Sequence, residues 1–266
     1  MPEFTSADLE EIRRARQILE HPSLAIRLAD LVGKPISALV KALPDGAQRT
    51  IAKATTKALE KSLDVALRTL DASGQSAAPD WLHRAAVVAT GAAGGAAGLA
   101  GLAVELPVSL ALMLRSIATH ARAQGEDLGS VATRLECLTV FAYGSESGTD
   151  DAAESAYWIS RAALGRAVAS AAEFVADRGL AEALSEKGAP ALVQLLARIS
   201  QRLGLAVSDK AAAQLVPLIG AAGGAAINTL FINHYQATAR AHFSIRRLER
   251  AHGEVAVRRA YERGPG

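Results

Sequence analysis

Apolar residues recur at helical spacing along almost the whole chain, and no segment alternates as a half-buried strand would, so the pattern predicts an all-α, multi-helix bundle. Ser6 or Thr5 opens a first short helix that ends near Glu20 and His21-Pro22, and Pro35 and Pro44 cut the following apolar stretches into short pieces. From about Asp45 to Leu70 a longer amphipathic helix carries Leu59, Leu63, Leu67 and Leu70 on one face and Lys53, Lys57 and Lys61 on another. That basic face is either solvated, with the leucines packed inward, or laid on an anionic membrane. Residues 71–79 collect Ser, Gly and Pro and read as a linker. The expected division is therefore an N-terminal helical extension and linker over 1–79 and a helical core domain over 80–266.

Within the core domain the punctuation predicts a helix from Asp80 to Glu105, bent or broken at Pro107 and resuming to about Arg122. Asp127 is the expected cap of the next helix, which stops at Gly144. A long helix then reaches Arg178 with Gly179 as its stop, and another begins at Pro190 and ends before Gly204. Ser208 opens a final long element kinked near Pro217 or the following glycines, and a short arginine-rich helix, Val255 to Arg263, closes the chain.

Two of these helices share an unusual apolar segment. The heptapeptide Gly-Ala-Ala-Gly-Gly-Ala-Ala occurs at 91–97 and again at 220–226, each time in a run free of Lys, Arg, Asp and Glu. Glycine costs a helix about 1 kcal/mol relative to alanine. A pattern so costly points to close helix approach, with seams of Gly91 with Gly95, Gly94 with Gly98, and Gly220 with Gly224. The sequence predicts that the two glycine-rich helices pack against each other. Fourteen residues beyond each first glycine stand Glu105 and His234, so equal offsets place an acid and an imidazole at matched positions. The first uncharged run is long enough to span a bilayer but is mostly Ala and Gly, which suits either a buried central helix or a segment entering lipid.

Composition narrows the chemistry. The 266 residues are 50% apolar but only 4% aromatic, so Ala and Leu carry the packing. The net charge of +2 argues against general polyanion binding, and sparse aromatics with no base-reading motif argue against nucleic acid. The positive charge gathers toward the C-terminus, where Arg240, Arg246, Arg247, Arg250, Arg258, Arg259 and Arg263 either pair with nearby acids or meet lipid headgroups. A single cysteine, Cys137, and a charged N-terminus lead us to expect a cytoplasmic chain, peripheral on the inner membrane.

Glu105, Asn228, His234 and His242 are polar residues in apolar helices and each needs a partner if buried. Glu105, His234 and His242 are the candidate catalytic groups. A Glu–His pair can act as an acid–base couple, a partial metal site or a structural clasp. Histidines at helical i, i+4 spacing and His-Glu-x-x-His are absent, so no metal or other cofactor is assigned. Gly144-Ser-Glu-Ser-Gly148 has Glu146 where a nucleophile elbow needs serine. The candidate ligand-binding set is Gly91, Gly94, Gly95, Gly98, Glu105, Gly220, Gly223, Gly224, Asn228, His234 and Arg246.

The chain resembles the EcsC family over residues 80–253. The resemblance rests on Glu105 to Ala118, the turn Gly125 to Leu128, Cys137 to Phe141, Glu154 to Tyr157 with Arg161, and Ser208 to Gly220. It continues through Asn228 to Phe231, His234 to Gln236, Ala239 to Phe243 and Arg246 to Glu249. The family is named for a bacterial protein encoded beside an ABC exporter, so the resemblance implies an association with the cell envelope. It also carries a peptidase label, which no nucleophile or zinc arrangement in this sequence supports. The expected function is a membrane-associated lipid-binding protein. The alternatives are a metal-assisted hydrolase using Glu105 and His234, and an adaptor for an envelope transporter.

Overall fold

The structure, a computed structural model, describes residues 4–20, 24–70, 85–90, 98–143, 156–183, 190–214, 216 and 220–263. Its α-helices are α1 (Ser6–Glu20), α2 (Leu24–Val32), α3 (Ile36–Lys41), α4 (Ala47–Thr69), α5 (Gly98–Ala123) and α6 (Val131–Thr139). They continue with α7 (Ala156–Arg178), α8 (Leu180–Ala183), α9 (Pro190–Gln214), α10 (Gly220–His252) and α11 (Glu254–Glu262). Residues 85–90 are also helical, a 3-10 turn (Val140–Ala142) follows α6, and no strand occurs among the described residues. The first glycine repeat, the linker with the expected boundary at residue 80, and Ser145 to Thr149 lie outside the described residues.

Helix α10 is the longest and organises the bundle. Helix α5 lies beside it in parallel, as Glu105 meets Asn228, Ser116 meets Gln236 and Glu126 meets Arg246. The expected packing of the two glycine repeats falls outside the described residues with the first repeat, while α5 beyond it does pack along α10. On the other flank α1 runs antiparallel, tying Glu11 to Arg247 and Asp8 to His252. Helix α4 covers α5 and α9, and α9 also contacts α2, α3 and α7. The leucine face of α4 is fully inside, with Leu59 and Leu67 buried and Lys53, Lys57 and Lys61 exposed. Its lysines are therefore a solvated face. Buried side chains from α1 to α4 join those of α5 to α11 in one apolar cluster running from Ile12 to Tyr261.

Several stop signals are overridden by burial. Helix α9 does not end before Gly204 but runs through it and through Ser208, because Leu192, Leu195, Ile199, Leu203, Val207 and Ala211 continue one buried stripe. That stripe outweighs the ~1 kcal/mol a mid-helix glycine costs. Helix α5 likewise continues past Pro107. The carbonyl deprived of its partner belongs to Ala103, an exposed residue. Asp127 holds the turn before α6, accepting from the Gly129 amide at 2.8 Å, and Ser130 takes the N-cap position expected for it. The final element is not one kinked rod, since α9 ends at Gln214 and α10 begins at Gly220. Gly179 does end α7, with a φ of +79° that favours glycine.

Candidate functional site

The polar residues singled out in the apolar helices fall into two buried clusters, both anchored on α10. In the first, Lys210 of α9 reaches across to Glu105 of α5, and Nζ donates to Oε1 at 2.8 Å and to Oε2 at 2.9 Å. The two side chains are 0% and 3% exposed. Ser109 Oγ donates to the same carboxylate at 2.6 Å, and Asn228 Nδ2 donates at 2.8 Å to both Glu105 Oε1 and the Val87 carbonyl. Thr90 Oγ1 sits 2.9 Å from Ser109 Oγ, and Phe231 places its ring 5.2 Å from the Lys210 ammonium.

Burial pushes the Glu105 carboxyl up, but the Lys210 charge and the bonds from Lys210, Ser109 and Asn228 outweigh it and hold the group below its ordinary value. At Lys210 burial prevails over the pull of Glu105, and the amine lies below its ordinary value. The two directions pull oppositely on the ionised pair. The donors decide the matter: three side chains all donate to Glu105, which therefore accepts as a carboxylate opposite an ammonium. Both oxygens are committed, so the group acts here as a clasp joining α5, α9, α10 and residues 85–90.

His234 is not part of that clasp. The partner of Glu105 on α10 is Asn228, six residues earlier, and six residues on a helix amount to about 9 Å of rise and about one and two-thirds turns. The equal offsets of the two repeats thus do not bring Glu105 and His234 together. The reason is register: α5 and α10 pair at a sequence offset set by their own contacts, not by that between the repeats. His234 faces α2 instead. Burial pushes its imidazole down to about 4, with the Arg27 charge adding to the effect.

The second cluster holds His242, which is fully buried. Its Nδ1 lies 2.9 Å from the Tyr157 hydroxyl, and its Nε2 lies 3.0 Å from Glu136 Oε1, an ion-pair distance but off the line of a hydrogen bond. A carboxylate only accepts, so the arrangement assigns the ring proton to Nε2 and leaves Nδ1 to accept from Tyr157. Burial dominates at His242 and holds the imidazole below its ordinary value, favouring the neutral ring. Glu136 is pushed up by burial but brought below its ordinary value chiefly by the neighbouring His242 ring. Beside it Arg161 forks onto Glu249 at 2.6 and 2.5 Å and stacks 5.0 Å from Trp158. With Tyr157, His242 and Glu136 all buried, this triad joins α6, α7 and α10 and offers no reacting atom to solvent.

Arg246, a predicted ligand residue, is occupied by Glu126, to which it donates from Nε and Nη2 at 2.9 Å each. Arg250 pairs with the same carboxylate. Gly125, at a φ of +79°, makes the turn that presents Glu126. Lys210, Glu136 and Glu126 were absent from the sequence-derived set. Lys210 carried one signal, a charge at a core position of the α9 stripe.

Space for a ligand exists elsewhere, at the glycine-rich start of α10. Between α2 and α10 lies an open cavity of about 610 Å³ lined by Arg27, Asp30, Leu31, Ala226, Thr229 and Leu230. Of the second repeat, Ala226 lines this groove. Gly223 and Gly224 lie on its helix, and Gly220 begins it. Gly98 begins α5, whereas Gly91, Gly94 and Gly95 lie outside the described residues. Apolar side chains stand exposed around this end of the bundle: Ile26 at 60% and Leu31 at 41% on α2, and Val104 at 75% and Val108 on α5. The segment Gly101–Ala123 of α5 is long and apolar enough to cross a membrane, and more than half of its most apolar stretch is buried inside the protein. Among the described residues no three His, Cys, Asp or Glu side chains gather as a metal site.

A family model, that of the EcsC protein family, matches residues 6–248, which extends the resemblance from residue 80 back through α4, α3, α2 and α1. No curated protein and no solved structure matches the chain.

Proposed function

The chain belongs to the EcsC protein family, and we propose that this member is a lipid-binding protein that works at the inner face of a membrane, seating a hydrocarbon chain in the groove between α2 and α10. The groove carries the reading. Its volume falls in the range of small-molecule sites, and Leu31, Ala226 and Leu230 give it apolar walls. Arg27 lines it together with Asp30, and its guanidinium suits a phosphate headgroup. The exposed Ile26, Leu31, Val104 and Val108 supply the apolar contact that a peripheral protein presses into the headgroup region. Helix α5 has the Glu105–Lys210 pair on its inner side and packs along α4 and α10, so we read it as a bundle helix with one lipid-facing flank.

The test is lipid extraction from the purified chain with mass spectrometry, together with flotation on vesicles of phosphatidylglycerol and of phosphatidylcholine. We expect co-purified lipid and flotation favouring the anionic vesicles. Ala226→Trp, which fills the groove from a partly exposed position, should remove the bound lipid while leaving the melting temperature within a few degrees. Lipid-free protein that floats with neither vesicle overturns the proposal.

A further inference from the structure

A second site lies where α1 meets α11. The arginines of this region are neutralised one by one: Arg246 and Arg250 by Glu126, Arg247 by Glu11, Arg258 by Glu262 and Arg14 by Glu10. Apart from Arg16, which lies over the Tyr261 ring, the exceptions are Arg13, Arg259 and Arg263, since none has an ion-pair partner among the described residues. All three line one cavity of about 580 Å³, whose remaining walls are Phe4, Leu9, Ala256 and Ala260. The spacing produces this convergence. Ala256, Arg259, Ala260 and Arg263 form one stripe of α11, and Leu9 and Arg13 stand one turn apart on α1. Three guanidinium groups around one space repel one another, and an anion placed among them relieves that repulsion. A guanidinium presents paired N–H donors that match phosphate oxygens, while the four apolar walls offer nothing to the rest of a polar ligand.

We propose that this cavity binds a phosphate monoester carrying a hydrocarbon group, with Arg13, Arg259 and Arg263 on the phosphate and Phe4 and Leu9 against the hydrocarbon. The site is separate from the α2–α10 groove and does not rest on it. Calorimetric titration of the full chain with octyl phosphate and with inorganic phosphate tests the two halves of the claim. Octyl phosphate should bind at least tenfold tighter, and Arg259→Gln with Arg263→Gln, or Arg13→Gln alone on the other helix, should weaken it at least tenfold and threefold respectively. Arg166→Gln, at an exposed arginine of α7, should leave it unchanged. Vesicles containing phosphatidate identify the source: arginine-dependent binding to them marks a membrane lipid, and binding of octyl phosphate alone marks a soluble phosphate ester. Equal affinity for the two phosphates, or arginine variants that bind as the parent does, overturns the proposal.

Discussion

Replacing Lys210 by methionine isolates the energetics of the Glu105 clasp. Methionine keeps the stem and its packing beside Phe231 but removes the ammonium that satisfies both carboxylate oxygens. Glu105 then keeps only the Ser109 and Asn228 donors on Oε1, and Oε2 is left buried without a partner. Breaking a buried ion pair from one side costs about 3–5 kcal/mol, a large part of the 5–15 kcal/mol that a domain commonly has. The loss depends on pH with a definite sign. In the parent, the Glu105 pKa lies below its ordinary value, so its contribution is present above that ordinary value and fades as pH falls through the folded one. In Lys210→Met, burial is opposed only by the Ser109 and Asn228 bonds and raises the carboxyl relative to the parent, so the variant is penalised increasingly as pH climbs from 5 to 7. Urea unfolding at both pH values, with m-values compared, should show the gap between parent and variant widening with pH. Adding Glu105→Gln, which retains the acceptor for Ser109 and Asn228 without the charge, should recover at least half of the loss. A cost under about 1 kcal/mol at pH 7, or a double variant no more stable than the single, refutes this account.

His234, held down to about 4 by burial, should remain neutral in the folded chain until well below its ordinary value of 6.5. Because the unfolded chain takes up that proton first, stability should fall by about 3 kcal/mol as pH drops from 6.5 to 4, and His234→Gln should flatten that slope in unfolding titrations. Glu126→Gln should cost about 1–3 kcal/mol by weakening the charge-assisted bonds from Arg246 and Arg250, measured by chemical unfolding; no change would mean that the α5–α6 turn is held by other contacts. Cys137 is fully buried, and burial raises its thiol further above its ordinary value, so an aromatic disulfide reagent should label it only at the rate of unfolding. Stoichiometric labelling of the native chain within minutes would contradict that burial.

Periodicity made most helices legible, and where it failed the cause was tertiary. The α4 face of Leu59, Leu63, Leu67 and Leu70 and the stop at Gly179 follow from local rules, and both stand in the structure. Gly204 and Ser208 are equally good local signals. They yield because the side chains on either side of them, from Leu203 to Ala211, are already committed to the core. For the buried polar groups, sequence could pick out Glu105, Asn228 and His242 as anomalies within apolar helices. It could not name Lys210, Glu136 or Tyr157 as their partners, since partnership depends on the register between helices, which no single-helix pattern contains. The matched offsets of Glu105 and His234 are the instructive failure: similarity between two segments says nothing about where they meet.

Register itself is the problem that the clasps solve. Apolar contact between two parallel helices such as α5 and α10 distinguishes poorly between one alignment and another slipped by a turn. Along the pair, Glu105 with Asn228, Ser116 with Gln236 and Glu126 with Arg246 place a directional contact at each level. A slip by one turn, about 5.4 Å, would separate all three and take the Asn228 donor from a buried carboxylate. Polar groups in such places can cost stability and still define the fold. We therefore predict that exchanging Glu105, Lys210 and Asn228 together for Leu, Met and Leu leaves the chain helical and at least within about 2 kcal/mol of the parent, but conformationally heterogeneous, with broadened amide resonances and binding of a hydrophobic dye. A triple variant with one sharp set of resonances would show that packing alone sets the alignment, and the clasp would then be an expense in stability without a structural return.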